Sequence, residues 1–117
     1  MQSVADQYLQ ALNHGDGAAV LQLFNNSGTV VSPIYGNRAA ADFYTTLFDD
    51  TKSSQTELIQ LVADVEKGSM VLIFAYQWLL NDGRSINFEV ADLIEFDDLG
   101  KIEKLVIYYD TYPLRGI

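Results

Sequence analysis

The second half of the chain constrains the fold most. From Gln55 onward it divides into four runs that read at strand period: Gln55 to Val65, Ser69 to Leu80, Ser85 to Phe96 and Lys101 to Tyr109. The connections, Glu66-Lys67-Gly68, Asn81-Asp82-Gly83-Arg84 and Asp97-Asp98-Leu99-Gly100, are short and each contains a glycine, which is the signal of a hairpin. Strands so joined form an antiparallel meander. They exceed the usual length of about five or six residues, and a long twisted sheet tends to curl. Packed against helices, a curled sheet can enclose a cavity.

Within the meander, Ile86 to Phe96 places Ile86, Phe88, Val90, Asp92, Ile94 and Phe96 on one face and Asn87, Glu89, Ala91, Leu93 and Glu95 on the other. Asp92 is the single polar residue of the apolar face. A carboxylate directed into an apolar interior loses hydration worth several kcal/mol or more, so it must find a partner or keep its proton and act as a donor. Three readings stay open at this level. Asp92 is functional, or a bulge turns it outward, or backbone donors satisfy it as a structural acid.

The first half reads as helices. Val4, Tyr8, Ala11 and Leu12, with Ala5 and Leu9 beside them, recur at helical spacing, and Gly15 follows as a stop. Asp16 can cap a second helix, G-A-A-V-L-Q-L-F, with Val20, Leu21, Leu23 and Phe24 as its apolar set, ended by Asn25-Asn26-Ser27-Gly28. Thr29 to Ser32 reads as a short strand closed by Pro33. After Gly36, Asn37 can cap a third helix that buries Ala40, Phe43, Tyr44, Leu47 and Phe48, and Asp49 to Ser54 reads as loop. The expected architecture is α+β: a curved antiparallel sheet, a four-strand meander plus one short N-terminal strand, wrapped on three N-terminal helices around an apolar pocket.

The 117 residues fit one domain with a single core. A formal charge of -9 repels phosphate backbones and anionic membranes, so neither nucleic acid nor a membrane is an expected partner. The chain has no cysteine, and no His/carboxylate cluster has metal-ligand spacing, so no metal or cofactor is expected. The N-terminal segment lacks the basic and apolar regions of a signal peptide, and the longest apolar run, Met70 to Tyr76, is too short to cross a bilayer. The expected location is cytoplasmic. The strand from Ser69 to Leu80 is apolar on both faces, with Met70, Leu72, Phe74, Tyr76 and Trp78 against Val71, Ile73, Ala75 and Leu79. Such a strand is covered twice, and a homodimer through the outer sheet face is the expected assembly.

The segment Tyr8-Leu9-Gln10-Ala11-Leu12-Asn13-His14-Gly15-Asp16, followed by Val20-Leu21-Gln22-Leu23-Phe24, and the order of elements behind it resemble the nuclear transport factor 2-like superfamily, and within it the ketosteroid isomerase and SnoaL-like cyclase families. The resemblance covers nearly the whole chain and implies that the curved sheet is cone-shaped. In ketosteroid isomerases a tyrosine of the first helix and a protonated aspartic acid of a meander strand hold the oxygen of a dienolate, the standard instance of an acid kept neutral by its site. The resemblance implies those roles for Tyr8 and for Asp92 in Val90-Ala91-Asp92-Leu93-Ile94-Glu95-Phe96, and places Tyr44 of Phe43-Tyr44 behind Tyr8 in the hydrogen-bond network. It also implies that Tyr108-Tyr109-Asp110 runs into a tail, Thr111-Tyr112-Pro113, over the pocket or an interface.

The pattern breaks at Ser32-Pro33. Isomerases of this family carry an aspartate there, which moves the proton between two carbons of the substrate. A serine hydroxyl cannot replace it near neutral pH without a base of its own, and His14, the chain's one histidine, sits at the end of the first helix. Asp42, Glu57, Asp64 and Glu89 occupy solvent-facing positions of their patterns. The expected function is therefore binding of a small apolar carbonyl, enol or phenol compound by Tyr8 and protonated Asp92, with Ser32, Tyr44, Trp78 and Phe88 contributing to the ligand site. An isomerase or cyclase using another base or water, and an interaction module with a vestigial pocket, are the alternatives.

Overall fold

Gly15 shows how the chain folds locally. In the computed structural model, which describes residues 1–111, it adopts a left-handed conformation (φ 63°) after helix α1 (Gln2–His14). Its N–H bonds the carbonyl of Leu12 and that of Asp16 bonds Ala11, so two orphaned helix carbonyls are satisfied at once. Asp16 then caps α2 (Gly17–Gln22) by accepting from the Ala19 N–H at 3.0 Å. Strands β1 (Phe24–Ser32) and β2 (Gly36–Ala39) precede helix α3 (Ala40–Asp50), and β3 (Thr51–Asp64), β4 (Ser69–Leu80), β5 (Ser85–Phe96) and β6 (Ile102–Tyr108) complete the order.

The six strands form one curved, unclosed sheet in the order β2-β1-β6-β5-β4-β3. Its meander is antiparallel, as the hairpin signals require, but β1 joins β6 in parallel. That pairing corrects several boundaries. Phe24 leaves the second helix because it pairs with Ile102, whose N–H bonds the Leu23 carbonyl. Asn25 to Gly28 belongs to β1, and Gly28 is required where the register shifts, since a Cβ there would meet Phe24 Cδ2 at 2.8 Å.

Asn37 does not cap the third helix. It pairs with Val31 in a short hairpin between β1 and β2, and α3 starts from Ala39 without a side-chain cap. Thr51 to Ser54 is strand rather than loop, paired with β4 at the edge of the sheet; its mostly polar side chains hide a regular backbone ladder. Tyr112 and Pro113 of the expected tail lie outside the described residues.

The helices cover the concave face. Ala5, Tyr8, Leu9 and Leu12 of α1 and Ala40, Phe43, Tyr44 and Leu47 of α3 pack on the buried row Met70, Leu72, Phe74, Tyr76, Trp78 and Leu80 of β4. On the convex face, cross-strand register aligns Val62, Val71, Leu93, Val106 and Val31 in one apolar row across five strands. Among the described residues no helix is long and apolar enough to cross a membrane.

Candidate functional site

Strand alternation delivers Asp92 to the concave face between Leu72 of β4 and Ile107 of β6, its partners in register. No bulge turns it outward: it is 1% exposed. Neither carboxyl oxygen has a hydrogen-bond partner among the described residues, so no backbone donor there satisfies the acid and the structural reading fails as well. Burial alone raises its pKa well above the ordinary carboxylate range. In its neutral form, which burial favours, the group carries one O–H donor and an acceptor.

Asp92 faces a cavity of about 40 Å³, room for a few water-sized groups. Tyr8 lines the same cavity from α1, with Ser32, Tyr35, Phe43, Tyr76, Trp78, Phe88 and Tyr109 among the other walls. The Tyr8 hydroxyl lies 2.8 Å from that of Tyr44 on α3, both rings sealed in the core. Burial raises the pKa of Tyr8 and Tyr44 far above that of free tyrosine, and the charge of an ionised Asp92 would raise each further. The hydrogen bond can run in either direction. With Tyr44 donating, the proton of Tyr8 is available to a ligand.

Tyr76 adds a third phenol. Its hydroxyl pairs with buried Ser54 at 2.8 Å, and burial pushes its pKa up to about 12, partly offset by that bond. Trp78 is anchored by its Nε1–H to Thr51 Oγ1 at 2.8 Å. Phe88, half-buried, packs on Tyr109 with ring centroids 4.8 Å apart. The cavity is thus lined mainly by apolar and aromatic side chains, with Ser32, the tyrosines and Asp92 as its polar members.

Ser32, Trp78 and Phe88 line the cavity with Tyr8 and Asp92, whereas Tyr44 stands behind Tyr8 and does not line it. The Ser32 hydroxyl accepts the Tyr35 N–H at 2.9 Å, fixing the turn after Pro33. Asp42, Glu57, Asp64, Glu89 and His14 are all exposed and none borders the cavity. Asp92 is the single carboxylate among the described lining residues. Sequence reasoning missed Tyr35 and Ser54. A serine three residues before Tyr35 is a readable turn signal, but Ser54 lay in a polar stretch whose strand character only pairing with β4 reveals. Among the described residues, no three acidic or histidine side chains are grouped to hold a metal ion.

A curved, unclosed sheet packed on N-terminal helices defines an α+β cone protein of the nuclear transport factor 2-like fold. The chain belongs to the SnoaL-like domain family, whose model matches residues 5–105. Solved structures of the same fold include an NTF2-like protein of unknown function from Cytophaga hutchinsonii, 19% identical with TM-score 0.75 over 97% of this chain and 92% of that one. PrhC from Penicillium brasilianum is 14% identical, TM-score 0.82, over 97% and 82%. SalBIII, described as an epoxide hydrolase/cyclase-like enzyme in pyran ring formation of the polyether salinomycin, is 16% identical, TM-score 0.78, over 93% and 89%. No curated protein sequence matches the chain.

Proposed function

We propose that the cavity binds a small apolar molecule through a phenol, enol or carbonyl oxygen, to which Tyr8 and protonated Asp92 donate hydrogen bonds. One observation carries this reading: a fully buried carboxyl, without a protein partner, faces a cavity shared with a phenol hydroxyl. In so dry a site a donor pair strengthens as negative charge grows on the acceptor. With serine at position 32, binding is favoured over carbon-to-carbon proton transfer.

A cyclase reading draws support from the likeness to SalBIII. In epoxide opening the substrate's own hydroxyl oxygen would form the new C–O bond as the epoxide C–O bond breaks. Asp92 would give its proton to the departing oxygen and, as the resulting carboxylate, regain one from the attacking hydroxyl, directly or through water. The apolar row on the convex face supports a homodimer through that surface, with five strands contributing a continuous patch.

The test is affinity across a series of substituted phenols of similar size. Binding is expected to tighten as phenol pKa falls toward that of the site. Flat affinity across the series, or unchanged affinity in folded Asp92→Leu and Tyr8→Phe, would remove the donor pair from the account.

A further inference from the structure

The cavity that Asp92 lines is too small for a whole ligand. About 40 Å³ accommodates the oxygen and a few atoms around it, whereas small-molecule sites generally run to about 300 Å³ or more. Beside it lies an outer cleft of about 450 Å³, bordered by Ile34, Asp49, Asp50, Asn81 and Arg84. Tyr35 and Trp78 border both spaces. They form the partition.

The two halves of that partition are held differently. Trp78 sits within β4, buried, bonded to Thr51 and stacked on Tyr76. Tyr35 sits on the turn between β1 and β2, half-buried, and its hydroxyl donates to the exposed carboxylate of Asp50 at 2.7 Å. Its ring also meets Phe43 edge-on and carries the Arg38 guanidinium 5.5 Å from its centroid. An aromatic ring on a turn, latched at its tip by one solvent-accessible bond, is the element that can swing without breaking the sheet.

We propose that Tyr35 is a gate, latched by Asp50, and that the cavity and the cleft are two compartments of one binding site. This rests on the ligand reading above. The inner compartment takes the phenol, enol or carbonyl head. The outer one takes a polar tail, and its walls choose the tail's charge: Asp49, Asp50 and Asp82 face a single Arg84, itself paired with Asp82 at 2.9 Å. A cationic tail is therefore accepted over an anionic one. The unpartnered carboxyl of Asp92 marks the inner end at which such a ligand stops.

Trp78, the chain's single tryptophan, borders both compartments, so its fluorescence reports occupancy. Wild type, Tyr35→Phe and Asp50→Ala, each of which removes one partner of the latch, are mixed with 2-naphthol in a stopped-flow instrument after thermal melts establish that each variant is folded. Association and dissociation are each expected to quicken about fivefold in both variants, the weight of one hydrogen bond, with little change in Kd. In wild type, 4-(2-aminoethyl)phenol is expected to bind more tightly than 3-(4-hydroxyphenyl)propionate. Unchanged rates in the folded variants overturn the gate while leaving the inner site intact. Equal or reversed preference between the two tails overturns the outer compartment. If wild type binds none of the three phenols, the ligand reading itself falls, and the gate with it.

Discussion

The hydroxyls of Tyr8 on α1 and Tyr44 on α3 lie 2.8 Å apart inside the core, joining two helices through a bond that no solvent reaches. Tyr8 of this pair lines the cavity that Asp92 also lines, and Tyr44 stands behind it. A buried hydroxyl deprived of its partner bears the full cost of its desolvation, whereas two hydroxyls removed together leave an apolar contact.

Tyr44→Phe and Tyr8→Phe are each expected to cost about 1–3 kcal/mol, and the double variant less than the sum. Urea unfolding of the four proteins measures the coupling. Strict additivity would mean that this hydrogen bond contributes nothing to stability.

Asp92 makes stability depend on pH in a defined direction. Its folded pKa is raised above the ordinary value of 3.8, so above that pH the folded protein holds a proton that the unfolded chain has released. The contribution of Asp92 to stability therefore falls as pH rises from about 4 to the raised folded value, and is constant beyond it. Asn cannot titrate. The stability of Asp92→Asn relative to wild type is expected to climb with pH by up to ~1.4 kcal/mol per unit in that window, as read from denaturant midpoints at a series of pH values. A pH-independent difference would mean that the acid does not hold its proton in the folded state.

Ser32 lines the cavity on the strand side and is 7% exposed. An aspartate there can still accept the Tyr35 N–H and would bring a base to the ligand. Ser32→Asp is expected to raise isomerisation of a small β,γ-unsaturated cyclic ketone by about a hundred- to ten-thousand-fold, followed by absorbance of the conjugated product. A folded variant with no gain would show that the cavity does not present the ketone to position 32.

The convex row predicts the assembly. Val71 and Leu93 are half-buried neighbours at its centre, and a lysine at either position would place a charge in the middle of an apolar contact. Native mass spectrometry is expected to give a dimer for the wild type and a monomer for Val71→Lys or Leu93→Lys. A monomeric wild type would leave the row as ordinary surface.

Much of this protein is written in local pattern. Period-two alternation and glycine-bearing turns are enough to place β4 and β5 over the spans read from sequence, and the same alternation by itself puts Asp92 alone on the buried face. Capping chemistry does as much for Gly15 and Asp16. These features depend on neighbours a few residues apart, so the chain declares them by itself.

Long-range pairing decided the rest. Phe24 became strand because Ile102, far along the chain, offered it a parallel partner, and Asn37 left its helix to pair with Val31. Thr51 to Ser54 looked like loop until β4 supplied its hydrogen bonds. The cavity is of the same kind: Tyr8, Tyr35, Tyr76 and Asp92 come from four separate elements, and only packing brings them around one space. Backbone groups and side chains at such separations carry no mark of one another in local sequence, because the free energy that joins them exists only once the sheet has curled over the helices.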